Sequence, residues 1–291
     1  MKIGLFAPLA GPFSTREFVA AFGPEAEARG FESIWLGEHV VLFDDYDSSY
    51  PYSPDGKIPA PPDMGMLEPL STLAFLAGIT ERIRLGTGIL LLPQRNPVYT
   101  AKEVANVDWL SGGRVDLGVG VGWLEEEFKA VGVPWEARGR RTDEYLELLK
   151  AMWTEERPSY KGETYTLEPC SMYPKPIQQP HPPLHIGGES DAALRRTARY
   201  AQGWYGFNLL PDQVPEHLEK LDRYLAEEGR SRDEIEVSIS PYFNGLTSDM
   251  VKQYADVGVD RIISLFIAMT LDDLGPALDG LAGCVEVAAT V

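Results

Sequence analysis

The sequence predicts an α/β chain folded as one (β/α)8 TIM barrel, residues 1–291, with insertion loops at its C-terminal face. Three observations carry this. Eight short apolar runs alternate with eight helix-patterned segments. One of those runs, Ile83 to Leu92, is apolar without period-2 alternation, as a strand covered on both faces must be. No linker, internal repeat or low-complexity tract divides the chain, and its length suits a single barrel of this kind. Strands joined by right-handed helical crossovers leave an open doubly wound sheet or a closed barrel, and eight repeats favour closure.

In chain order, Lys2 to Phe6 is an apolar strand that opens directly at the N-terminus, and Arg16 to Arg29 spaces its apolar residues at i, i+3, i+4. Ser33 to Gly37 is the second strand. A long irregular segment, Val40 to Met66, follows it, rich in Asp, Ser, Tyr and Pro. Pro69 to Gly78 is a helix apolar on nearly all sides, which suits either deep packing or a second covering surface. The third strand, Ile83 to Leu92, contains Gly86 and Gly88; two glycines in a strand mean either a bulge or a close approach of backbone or ligand. Val98 to Leu110 (helix), Arg114 to Val119 (strand) and Thr142 to Trp153 (helix) continue the pattern. Thr154 to Pro183 is again irregular, with KGETYTL reading as a short hairpin strand. Strands Pro183 to Ile186, Trp204 to Asn208, Ile235 to Tyr242 and Arg261 to Ile267 then alternate with helices Asp191 to Tyr200, Pro215 to Glu228, Ser248 to Val257 and Asp272 to Leu281. Long irregular loops are commonly functional, so both long segments are expected to form lids or pocket walls.

Composition narrows the partners. With 44% hydrophobic and 24% charged residues the chain is an ordinary globular one, and its net charge of -18 repels phosphate backbones and anionic lipid. Neither nucleic acid nor a membrane surface is an expected partner; a small-molecule substrate is. The cysteines Cys170 and Cys284 offer no disulfide framework and no CxxC pair, in keeping with a reducing cytoplasm. No targeting or bilayer-spanning stretch is expected. His181 and His185 sit in HPPLH, where two prolines prevent the helix that would align both rings on a metal, so no metal site is expected. No GxSxG elbow is present.

The strand ends carry the candidate chemistry. The second ends in Gly37-Glu38-His39, where His39 can act as acid, base or polar anchor, or simply close a loop. The fourth ends in GVGVGW, Gly118 to Trp123, before the acidic helical start Leu124 to Glu127. The fifth ends in Gly187-Gly188 before Ser190. Glycine turns at helix N-termini present bare N–H groups to an anion, so the pair can clasp one phosphate; two ordinary turns with an N-cap are the plainer alternative.

Taken together, WLGEH from Trp35, YPY and GKIP in the loop from Tyr50, RIRLGTGILLLPQRNP, LSGGRVDLGVGVGWLEEEF, RGRRTDEYLELLKAMW, PKPIQQPHPPLHIGG and Gly203-Trp204 resemble the luciferase-like monooxygenase superfamily, in particular its coenzyme F-420-dependent oxidoreductase branch. The resemblance implies a cis peptide at Gly88–Ile89 behind the central ring of a bound cofactor. It implies that Val121, Gly122, Trp123, Gly187 and Gly188 hold the cofactor's phosphate and ribityl chain. Glu38 would lie beside the pyrimidine edge, and His39 would face the reacting carbon or the substrate as the catalytic residue. In the relative that oxidises a sugar phosphate a catalytic glutamate follows the GxG; Trp123 stands here, leaving Glu125 and Glu126 as stand-ins or a solvated first turn.

The activity implied is hydride transfer between the deazaflavin F-420 and a small, largely apolar organic substrate under a lid of Phe43, Tyr46, Tyr50 and Tyr52. A two-component monooxygenase using reduced FMN and oxygen is the alternative, and a non-catalytic flavin-binding barrel the third. A homodimer through the helices after the second and third strands is also implied.

Overall fold

The computed structural model describes residues 1–291 as a closed, all-parallel barrel. Its strands are β1 (Lys2–Phe6), β2 (Ser33–Leu36), β3 (Arg84–Thr87) with β4 (Leu90–Leu91), β5 (Val115–Gly120), β8 (Leu184–Gly187), β9 (Gly203–Phe207), β10 (Glu236–Ser240) and β11 (Arg261–Leu265). Closure runs from β11 to β1 through Lys2–Phe6 against Arg261–Leu265, and from β3 to β5 through Leu85 and Gly86. A separate hairpin pairs β6 (Tyr160–Lys161) with β7 (Thr166–Leu167).

Around the barrel lie α1 (Arg16–Ala28), α2 (Pro69–Ala77), α3 (Pro97–Ser111), α5 (Arg138–Thr154), α6 (Asp191–Tyr200), α7 (Val214–Glu227), α8 (Ser248–Asp256) and α9 (Leu271–Ala288). A short α4 (Glu125–Ala130) follows β5. Caps set where the helices begin: Asn96 Oδ1 accepts from the Val98 and Tyr99 amides at α3, and Ser190 Oγ accepts from Ala193 at α6. No helix is long and apolar enough to cross a membrane.

The third apolar run is not one strand. It breaks at a cis Gly88–Ile89 peptide, so β3 ends at Thr87 and β4 resumes at Leu90. Gly86 has a packing reason, since a Cβ there would lie 2.5 Å from Trp35 Cδ2 inside the barrel. Gly118 is needed likewise, its Cβ falling 1.9 Å from the Thr87 carbonyl oxygen.

The barrel interior is layered. At its floor the starts of the strands bring together buried charges: Arg84 binds Asp116 (Nε to Oδ2 2.8 Å), and Arg261 binds Glu32 through two bonds of 2.9 Å. His185 lies 3.8 Å from Asp116 and meets Trp35 edge-on, while His181 contacts the Pro182 carbonyl and packs on Trp153. Above the floor, Phe6, Trp35, Tyr205, Tyr242 and Ile263 form an apolar plug. The larger apolar core fills the space between barrel and helices.

The two long irregular segments part company. Val40 to Met66 covers the C-terminal mouth. It is tied at its near end to α4 and at its far end by an antiparallel bridge between Ala10 and Met66. Thr154 to Pro183 is not a lid or pocket wall. It connects the end of α5 to the start of β8 and is fastened to the outside: Gln178 bonds Asp108 and the Val115 carbonyl, and Lys175 bonds the Met152 carbonyl. A segment that leads from a helix into a strand emerges on the N-terminal face of a barrel, away from the mouth.

Candidate active site

A cavity of about 710 Å3 opens at the C-terminal end of the barrel, within the size range of small-molecule and cofactor sites. Its lining is chemically mixed: Gly122, Arg138, Gly188, Ser190 and Arg196 supply glycine backbone, a hydroxyl and cations; His39, Gly88, Ile89 and Trp123 supply an imidazole, the cis bulge and an indole; Phe6, Tyr52, Phe207, Tyr242 and Leu265 supply an aromatic and aliphatic cluster.

Every sequence-predicted site residue borders this cavity: Glu38, His39, Gly88, Ile89, Val121, Gly122, Trp123, Gly187 and Gly188. Their engagements differ from expectation in two places. Glu38 is buried with both oxygens occupied, Oε1 by Arg95 Nε at 2.8 Å and Oε2 by the Leu91 amide at 2.5 Å. Burial pushes its carboxyl up against the pull of Arg95 and that amide. It therefore pins the β4 end to Arg95, which also holds Glu68 and Glu103. Gly188 donates its N–H to Tyr205 O and accepts from Trp204 Nε1, so what it offers a ligand is the absence of a side chain, at a φ of +111°.

The helix start expected after the fifth strand supplies donors, since the amides of Asp191 and Ala192 open α6 before its first intrahelical bond; two arginines that the sequence did not single out stand near them. Arg196, from the same helix, is paired with Asp143 (2.5 Å). Arg138 is the cavity-lining cation with no carboxylate partner: it stacks 3.5 Å over the Trp135 ring and donates to the Gly122 carbonyl. These groups and the neighbouring glycines fit a phosphate-bearing cofactor: Arg138, the α6 amides and Gly187 would hold its anionic end, and the Gly88–Ile89 bulge would back its ring.

His39 Nδ1 lies 3.2 Å from Glu127 Oε2, and its ring meets Trp123 edge-on at 5.7 Å. Glu127 is fully buried and also accepts from Val40 N (2.6 Å), Val41 N (3.4 Å) and Gln94 Nε2 (3.1 Å). The two stand-ins proposed at this turn do other work. Glu125 pairs with Lys129 on the surface, and Glu126 takes the Asp47 and Ser48 amides and the Ser48 hydroxyl. Partial burial pushes the Glu126 carboxyl up, but those hydrogen bonds prevail and bring it down to about 2. A signal for Glu127 was present: it shares with Leu124 the i, i+3 face that turns inward, beside buried Phe128.

The roof over the cavity is partly as expected. Tyr50 and Tyr52 line it, together with Leu42, Ile58, Met64 and Met66, whereas Phe43 and Tyr46 do not. Tyr46 instead packs behind Trp123 and receives the Ile58 amide on its hydroxyl. Between Gly188 and Ser190, Glu189 reaches the aromatic cluster, accepting from Phe207 N (2.6 Å) and Tyr52 Oη (3.1 Å); burial pushes its carboxyl up despite both bonds.

The family model for luciferase-like monooxygenase matches residues 1–244. An uncharacterized protein of Mycobacterium tuberculosis is 34% identical over 246 residues, 84% of each chain. The FMNH2-dependent dimethylsulfone monooxygenase of Pseudomonas putida is 38% identical over 136 residues, 46% of this chain and 37% of that one. The F420-dependent glucose-6-phosphate dehydrogenase of Microbacterium testaceum is 32% identical over 221 residues, 74% of this chain and 60% of that one.

Proposed function

This chain belongs to the luciferase-like monooxygenase family, and from that premise we propose that it is an oxidoreductase moving hydride between deazaflavin coenzyme F-420 and a small, largely apolar organic substrate. The observation that carries the proposal is the mixed lining of this one cavity, which joins an unpaired cation and a helix N-terminus, His39 with the Gly88–Ile89 bulge, and a cluster of aromatic side chains. An elongated ligand with an anionic tail and a planar ring satisfies the first two parts, and leaves the third to an apolar substrate. When bound, a deazaflavin supplies a ring carbon that gives or takes hydride.

The chain's own part is orientation and proton handling. Arg138 and the α6 amides anchor the tail, Ile89 backs the ring, the Tyr50–Tyr52 roof excludes water, and His39 exchanges a proton with the substrate. Reduced FMN with oxygen is the second reading, favoured by the identity to the Pseudomonas monooxygenase across residues this chain shares with it. The proposal extends to a homodimer in the cytoplasm, formed through α2 and α3.

Fluorescence titration of the purified protein with F-420 and with FMN, each oxidised and reduced, tests this. Selective F-420 binding is the expected result. Selective binding of reduced FMN would transfer the site to oxygen chemistry, and binding of neither would leave a non-catalytic barrel.

A further inference from the structure

Glu127 touches both His39 and the root of the roof, and it carries the further inference. We propose that Glu127 is a positioning residue: it fixes the His39 proton on Nδ1, so that Nε2 faces the cavity as a proton acceptor, and it ties that arrangement to the seating of the roof.

The hydrogen-bond set carries the argument. Glu127 Oε1 receives two backbone N–H groups, from Val40 and Val41, and neither can do anything but donate. Oε2 receives the Gln94 amide nitrogen and faces His39 Nδ1. A fully buried carboxyl given three donors is satisfied as an acceptor on both oxygens, which leaves His39 Nδ1 to supply the fourth N–H. A neutral imidazole carries one proton, so Nε2 then has a lone pair. Nδ1 makes the ring's one hydrogen bond to protein, and His39 lines the cavity. A protonated Glu127 would produce the opposite ring, with an Nε2–H donor aimed at the ligand, and would set its own proton among groups that already donate.

Two consequences follow. The first rests on the hydride-transfer reading. In that reading the substrate C–H bond would break with its electron pair passing as hydride to the oxidised F-420, which would be reduced, while the proton on the adjoining heteroatom moves to His39 Nε2: one carbon–hydrogen and one heteroatom–hydrogen bond break, a carbon–heteroatom double bond and one nitrogen–hydrogen bond form, and the imidazolium is balanced by the Glu127 carboxylate. The reverse reaction returns the proton. The second consequence is independent of any cofactor. Val40 and Val41 begin the loop that roofs the cavity, so the carboxylate that orients His39 is satisfied only when the root of that loop is in place.

Long-range 1H–15N spectra of 15N-histidine-labelled protein, cofactor-free, decide the tautomer, with His39→Ala assigning the ring among the four histidines. Protonated Nδ1 with bare Nε2 is expected at neutral pH; a neutral ring protonated on Nε2 overturns the proposal, and this needs only the wild-type fold. Glu127→Gln is the second arm, its fold checked by circular dichroism. It is expected to lose the Nδ1–H preference and about 10²-fold in turnover while F-420 affinity stays within about twofold. Unchanged tautomer and turnover would overturn the proposal. If F-420 does not bind the wild-type protein, the functional reading fails while the tautomer result stands.

Discussion

Ile89 is pressed from both sides by glycines. A Cβ at Gly187 would sit 2.8 Å from Ile89 Cγ2, and one at Gly120 would sit 2.1 Å from its Cδ1. Gly187→Ala is therefore expected to drive Ile89 into the cavity and weaken cofactor binding by about tenfold, read by the same fluorescence titration. A retained affinity would show that Ile89 does not back the ring. His39→Ala is expected to cost about 10²- to 10⁴-fold in turnover with the cofactor still bound. At this scale the sequence was readable where a residue stood alone at a strand end. His39 and Gly187 could be placed from position; Glu127 was masked, because three consecutive glutamates read as a solvated first turn unless the i, i+3 spacing from Leu124 is weighed, and their separate partners then assign each a different task. Arg138 was hidden for a similar reason: in RGRR nothing marks which arginine reaches the cavity.

The short helix α4 acts as a clasp on the roof. Glu126 holds the Asp47 and Ser48 amides, and the Ser48 hydroxyl both donates to Glu126 and accepts from the Glu125 amide. Ser48→Ala removes two of these bonds. It is expected to speed hydrogen exchange through residues 43–50 and to raise KM for substrate, with kcat moving less. Because the Glu126 carboxyl is held down to about 2, the clasp is expected to stay charged and closed across ordinary assay pH. Element identity was largely legible, since periodicity and capping residues mark helices and strands. The role of Thr154 to Pro183 was not: length and composition resemble those of the roof, and only its position between a helix end and a strand start sends it to the opposite face.

The whole barrel rests on a charged floor with a definite pH signature. Burial pushes the Asp116 carboxyl up, but Arg84, His185 and Arg261 hold it far below its ordinary 3.8. In acid the unfolded chain then binds the proton that the folded one refuses, so this contribution is complete above about pH 4 and is lost as pH falls below it. Asp116→Asn is expected to destabilise by about 3–5 kcal/mol at neutral pH, because it strands buried arginines, and to flatten the acid limb of urea-unfolding midpoints. The proposed homodimer is tested at this scale. Phe75, Tyr99, Trp109 and Leu110 are exposed on α2 and α3, and Trp109→Glu is expected to shift the light-scattering mass toward one chain. The global architecture was the most legible layer, since eight alternations constrain topology more than any residue constrains chemistry. The roof is fastened at Ser48 and again at Met66, and His39 lies outside both fasteners. Residues 49–65 thus form an exchangeable cassette: natural variation or deliberate grafting there can retune which compounds are accepted while the reactive centre is inherited unchanged.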